Sequence, residues 1–186
     1  MDKITIKLDS GELHAGQVGG QSVLIGDETT RPADTTAYAA GDAISATVSD
    51  TGTTALRSLA VGRKVGGTGY LTKFRLMTNQ AACVAMIKVH FYNVAAPTGP
   101  IVGDNVQMTL LYLNKSQRIG SIILPSLATS TVAGGSTASV AQDDTTRMHF
   151  KCAVADQNIY YRLETLSIFT PADSQKFYME VAAEQD

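Results

Sequence analysis

"YLTKFRLMTNQAACVAMIKVHFYN" (Tyr70–Asn93) decides the fold. Its first run, Tyr70–Met77, reads as a strand, and "TNQA" turns the chain. In the second run Cys83, Ala85, Ile87, Val89 and Phe91 share one apolar face, while Val84, Met86, Lys88, His90 and Tyr92 share a mixed one. A period of two with one apolar side is the mark of a half-buried strand. The two runs read as a central hairpin.

The same period recurs outward in both directions. Downstream, "RIGSIIL" (Arg118–Leu124) is a strand stopped by Pro125, which cannot donate to a ladder. "RMHFKCAV" (Arg147–Val154) alternates, with Met148, Phe150, Cys152 and Val154 expected inward. "IYYRLETLSIFT" and "KFYMEVA" are predicted to close the chain as a hairpin around "PADSQ" (Pro171–Gln175), with Phe177, Met179 and Val181 on one face. Upstream, "GDAISATVS" (Gly41–Ser49) reads as a strand. "KITIKL" (Lys3–Leu8) places Ile4, Ile6 and Leu8 on one side, and "QSVLIG" (Gln21–Gly26) is its expected returning strand. Asp104 could cap a short helix over "NVQMTLLYL", or that stretch could be strand. "ATSTVAGGSTAS" (Ala128–Ser139) is polar and low in complexity, hence an expected exposed loop.

Nine or ten strands with turn signals between them predict an all-β fold, an antiparallel sandwich or a barrel. No helical patterns of 10–15 residues separate the strands, which argues against α/β. The 186 residues fit one domain with an appendage. The expected division is an N-terminal arm or hairpin over 1–35 and a β-sandwich over 36–186. An isolated two-stranded hairpin is marginal in water, so the arm must pack on its own body or on a neighbouring chain.

Composition narrows the function. The formal net charge is −2, charged residues are 17% of the chain, and Lys/Arg do not cluster, so the footprint of nucleic-acid binding is missing. No run approaches the ~18 apolar residues of a membrane helix. Met1 is followed by a polar–apolar alternation rather than a signal sequence. Cys83 and Cys152 read as buried thiols of a protein made in a reducing cytosol. His90 and His149 fall on the less apolar faces of their strands and are expected in solvent. His149 lies between Arg147 and Lys151, an unfavourable place for a metal, and His14 has no ligand pattern around it. Asp143-Asp144 reads as a solvated turn. No nucleophile elbow, zinc motif or phosphate cradle is present. The expectation is a protein that is not an enzyme and uses no metal or cofactor. Tyr70, Tyr92, Tyr160, Tyr161 and Tyr178 could form a platform for sugar rings, or could pack in the core and at its rim.

Four phrases occur in order: "RPADTTAYAAGDAIS" (Arg31–Ser45), "GGTGYLTKFRLMTNQ" (Gly66–Gln80), "HFYNVAAPTGPIVGDN" (His90–Asn105) and "RIGSIIL" (Arg118–Leu124). Together they resemble a group of small virion proteins of tailed bacteriophages, the head decoration or cement proteins. The resemblance covers roughly residues 30–125. It implies a β-sandwich, often jelly-roll-like, and a non-enzymatic structural role on the virion, and it supplies no catalytic residues. The setting it implies is the surface of the phage head, after synthesis in the host bacterial cytoplasm. The implied partners are the major capsid protein and further copies of this chain in a dimer or trimer, with no nucleic acid or membrane. The other function in view is a tail or fibre component, or a carbohydrate-binding module that recognises a host-surface glycan.

Two features are the candidate contacts. Ile4, Ile6 and Leu8 could fill side-chain pockets if the N-terminal strip adds to a neighbour's sheet edge. Tyr38 is the only aromatic group of the Arg31–Ser45 junction and is the expected anchor of the arm. Around it, Pro32 favours an extended Arg31, Asp34 suits a side-chain-to-backbone turn with Thr35-Thr36, and Gly41 can take a positive φ.

Overall fold

A computed structural model describes residues 5–7, 13–15, 21–48, 56–80, 83–97, 102–130 and 138–185, some strand ends as backbone alone. Thirteen strands are found among them: β1 (Thr5–Lys7), β2 (Leu13–Ala15), β3 (Gln21–Thr30), β4 (Ala43–Ile44), β5 (Arg57–Leu59), β6 (Thr68–Thr78), β7 (Ile87–Tyr92), β8 (Arg118–Ile123), β9 (Ala128–Ser130), β10 (Ala138–Asp143), β11 (Met148–Lys151), β12 (Ile159–Thr165) and β13 (Lys176–Gln185). Helical structure among the described residues is one 3-10 turn, Tyr112–Ser116.

The strands form two antiparallel sheets and a small hairpin. The six-stranded sheet runs β3-β13-β6-β10-β9, with β11 also on β6; the five-stranded sheet runs β4-β12-β7-β8, with β5 also on β12. The core lies between them. Phe74, Leu76, Phe177, Met179 and Val181 of one sheet meet Ile87, Val89, Phe91, Tyr161 and Leu163 of the other, all nearly inaccessible to solvent. The rings of Phe74 and Phe91 touch across the interface at 5.7 Å between centroids. Burying a side chain of this size stabilises by roughly 1.5–3 kcal/mol. The expected all-β antiparallel sandwich is what the chain forms.

The pairing differs from the expectation at its centre. Tyr70–Met77 and Ile87–Tyr92 are not a hairpin: β6 lies in the six-stranded sheet and β7 in the five-stranded one. The same holds at the end of the chain, where β12 and β13 are in opposite sheets. Each expected hairpin is an arch that carries the chain from one layer to the other, a separation of about 10 Å. Both runs of each arch have an apolar face, and each buries it by facing the other run across the core. The period of two fixes which side chains point inward; it says nothing about which edge a strand pairs along.

Further corrections follow from long-range packing. Gln21–Gly26 does not return on the N-terminal strip. Thr5–Lys7 pairs with Leu13–Ala15, whereas β3 pairs with β13 over ten positions, from Lys176↔Thr30 to Gln185↔Gln21. Tyr178 packs over Gly26, where a Cβ would sit 2.0 Å from its hydroxyl, so any larger residue there would displace the tyrosine ring. Residues 21–30 of the segment expected as an arm are thus an integral sheet strand. The stretch expected as a loop at 128–139 has β9 at one end and the start of β10 at the other. Of "GDAISATVS" only Ala43–Ile44 is strand, because the segment beyond it pairs with Asp104 through a loop-type bond, Asp104 N–H to the Thr47 carbonyl at 2.7 Å. Val154 is 88% exposed rather than inward, because β11 ends at Lys151 and the chain turns.

Candidate functional site

The Arg31–Ser45 junction is held by a buried polar network. Backbone pairing positions it: the Tyr38 N–H donates to the Phe169 carbonyl and the Arg31 N–H to that of Gln175, each at 3.0 Å. Tyr38 is 1% exposed and stacks on Phe169 at 4.8 Å. Its hydroxyl donates to Asp104 Oδ1 at 2.6 Å and accepts from Arg31 Nε at 2.9 Å. Arg31 Nη2 reaches Asp104 Oδ2 at 3.0 Å, and the Ser45 N–H donates to Oδ1 at 2.8 Å. The carboxylate therefore accepts from three donors. Arg31 Nη1 donates to the carbonyls of Asp34 and Ala172. The side chains of Arg31 and Asp104 are 0% and 1% exposed. Burial, helped by the Asp104 carboxylate, pushes the Tyr38 phenol well above its usual range.

The local expectations for this stretch match the geometry. The Thr36 N–H bonds Asp34 Oδ1 at 2.8 Å, closing the side-chain turn, and Gly41 has φ +94°. Tyr38 sits where the chain enters the body. Asp104 does not cap a helix; its partners lie 59 to 73 residues away in sequence. Of the other candidate contacts, Ile4 and Leu8 lie outside the described residues, and Ile6 stands in β1 opposite His14.

A second network lies on the outer face of the five-stranded sheet, beneath residues 102–117. Register brings it together: His90 pairs with Arg162 on one side and Ser121 on the other, Lys88 with Glu164, and Tyr92 with Tyr160 and Arg118. His90 Nε2 contacts Glu164 Oε2 at 2.6 Å, and Arg118 Nη2 faces His90 Nδ1 at 3.2 Å and Ser121 Oγ at 3.0 Å. The guanidinium can only donate, so Nδ1 accepts and Nε2–H donates to the carboxylate. His90 is neutral: burial first of all, with Arg118 and Lys88 nearby, depresses its pKa to about 4 against the pull of Glu164. Both ring nitrogens are engaged and the residue is 0% exposed, so no lone pair faces solvent for proton transfer or metal binding. The expectation of a solvated His90 is thus corrected. Its ring lies between the side chains of Glu164 on β12 and Arg118 on β8, which the strand's own period cannot show.

Arg162 is 5% exposed, and its Nη2 donates to the Val102 carbonyl. Its Nε and that of Arg118 are buried without a hydrogen-bond partner. Burial lowers the Arg162 pKa to about 10. A cavity of about 320 Å³ adjoins this network, lined by Tyr92, Leu110, Leu111, Tyr112, Asn114, Lys115 and Arg118.

The remaining sequence candidates are dispersed. Tyr161 is in the core, Tyr92 and Tyr160 lie on the outer face of the five-stranded sheet, and Tyr70 and Tyr178 lie in the other sheet. Tyr70 is covered by Arg147, 4.1 Å above its ring, and meets His149 edge-on at 5.3 Å. Cys83 and Cys152 are separate buried thiols. Asp143 accepts from the N–H groups and hydroxyls of Thr145 and Thr146, which outweigh burial and hold its pKa at about 2. No group of three or more potential metal ligands occurs among the described residues.

No family model matches the sequence, and no curated protein matches it. Among solved structures, the chain aligns with one titled "Structure of infectious bursal disease virus Gx strain" at TM-score 0.22 and 8% identity, covering 100% of this chain and 46% of the other. It also aligns with the "Crystal structure of infectious bursal disease virus VP2 subviral particle" at TM-score 0.23 and 12% identity, covering 99% and 46%. The chain spans about half the length of each, and likenesses this distant carry no argument about fold or role.

Proposed function

We propose that this chain is a non-enzymatic virion structural protein that binds the outside of an assembled phage head and bridges neighbouring coat subunits. The observation that carries the reading is the edge of the six-stranded sheet. β3 is ten residues long and pairs with β13 on one side, and no described strand pairs with its other side. A long edge with no described strand beside it is a template for another chain's strand, although Arg57 already bonds the Glu28 carbonyl of β3. It directly follows the N-terminal segment that holds Ile4, Ile6 and Leu8. Several polar side chains of the body are meanwhile engaged with one another: Arg31 with Asp104, His90 with Glu164, Arg57 with Asp27. That arrangement suits a rigid module that binds by its edge and arm. The resemblance of residues 30–125 to phage head decoration proteins supports the same setting.

A protein that binds the assembled lattice and not the loose subunits stabilises the lattice by mass action. Many copies, each touching several subunits, let modest contacts add up. The test is co-sedimentation of purified protein with assembled, expanded heads and, separately, with unassembled coat protein. Saturable binding to heads alone is expected, and removal of residues 1–20 should abolish it. Absence from the head pellet, or equal binding to loose subunits, contradicts the reading. A glycan-array signal without head binding favours a tail or fibre component instead.

A further inference from the structure

The cavity beside the His90 network has walls of two kinds. Tyr92, Leu110, Leu111 and Tyr112 make it apolar, while Arg118, Lys115 and Asn114 make it polar. Tyr112, in its wall, stands 80% exposed, and the adjoining Leu113 of the same 3-10 turn 68%. Lys115 Nζ sits 4.2 Å over the Tyr112 ring and donates to its hydroxyl at 3.2 Å.

The charges beneath are unbalanced. Arg118, Arg162 and Lys88 bring three cations to this face of the sheet, His90 is neutral, and Glu164 is the acid that faces them. Glu164 is engaged with His90 at 2.6 Å and with Lys88 at 3.9 Å. Arg118 and Arg162 have no carboxylate partner among the described residues. The hydrogen bonds of Arg118 all leave from Nη2, to a neutral imidazole and a hydroxyl, and its buried Nε has none. Arg162 is buried and Arg118 half-buried, with Nη2 spent on neutral acceptors, and a charge drawn out of water is normally paired because leaving it unpaired is costly.

We infer that this cavity receives a carboxylate carried on a short apolar stem, bound to Arg118 and Lys115 with the stem against Tyr92 and Tyr112. A volume of about 320 Å³ suits a group the size of one amino-acid side chain with its flanking backbone. The carboxylate has two possible sources, a free small acid or an acidic side chain of a partner's exposed segment. The inference goes beyond the capsid reading and does not depend on it.

The test is titration of the isotope-labelled full chain with N-acetylglutamate amide and with a leucine-flanked hexapeptide carrying one Glu, monitored by amide shifts. Each is compared with its Gln counterpart. Saturable shifts confined to Tyr92 and residues 110–118, at least tenfold weaker for the Gln probe, are expected. Binding of the peptide alone assigns the site to a partner segment; binding of both assigns it to the carboxylate itself. Arg118→Gln should abolish binding. Because that change also removes the bond to His90, Tyr112→Ala is the second variant: it removes an exposed wall, and should weaken binding at least fivefold while leaving shifts elsewhere unchanged. Equal affinity for Glu and Gln probes, or no saturable shift with any probe, overturns the inference.

Discussion

Arg31 and Arg162 are both interior arginines, 2% and 5% exposed, and they are held in contrasting ways. Arg31 has two carboxylates (Asp104 and Asp34), a phenol and two carbonyls around its guanidinium, and the Asp104 that faces it accepts from two further donors. Arg162 has one carbonyl and an orphaned Nε. The first arrangement ties three distant segments, 31–45, 102–108 and 169–175, into one joint. The second leaves positive charge under a loop and beside a cavity. Saturated networks fix structure; unsaturated ones mark places where something else can bind.

The comparison is broken most severely at Asp104. Asp104→Ala deletes the buried carboxylate of the Arg31 guanidinium, leaving it the half-exposed Asp34, and removes the acceptor of Tyr38 and Ser45, so a loss of about 3–5 kcal/mol is expected in urea unfolding. A loss below about 1 kcal/mol would show that the joint is not what it is described to be.

The second effect is a pH dependence on the other side of the comparison. His90 has a folded pKa of about 4 against 6.5 in the unfolded chain. Between these values the unfolded state binds the proton and the native state does not, so stability rises with pH from about 4 to 6.5 and is flat above. The contribution is of order 3 kcal/mol at most. Unfolding midpoints at pH 5 and pH 7.5 should differ, and His90→Gln should shrink that difference. An unchanged difference contradicts the burial of a neutral imidazole.

Smaller effects sharpen the contrast. Tyr38→Phe keeps the stack on Phe169 and deletes the hydroxyl, for an expected cost of about 1–2 kcal/mol by thermal or urea denaturation. Arg162→Met should lie within about 1 kcal/mol of the native protein or be slightly stabilising, because no carboxylate is left unpaired. If Arg162→Met costs as much as Asp104→Ala, the distinction between the two networks fails.

What the sequence discloses follows from where its signals lie. Period-two alternation placed Ile87, Val89, Phe91, Phe177, Met179 and Val181 in the core correctly. Local chemistry likewise read the Asp34 turn and the positive φ of Gly41. Strand partners were not legible: β6 and β7 adjoin in sequence and were expected to pair, yet they face each other across the core. Arg31 was missed because its partner Asp104 is 73 residues away; a lone acid within the apolar "IVGDN" loop was the available hint. His90 was misplaced because its partners Glu164 and Arg118 lie 74 and 28 residues away in sequence. The extent of the arm was set too long for a similar reason, since β3 looks like a short alternating strip until β13 is seen beside it. A truncation that tests the arm therefore ends at residue 20, leaving β3 intact.

Electron cryomicroscopy of the phage particle proposed to carry this protein tests the functional reading most directly. The account predicts density for the sandwich on the outer surface of the head, contacting at least two coat subunits, with the β3 edge or the residues before it at the contact. Density on the tail alone, or no density on the particle, would contradict it.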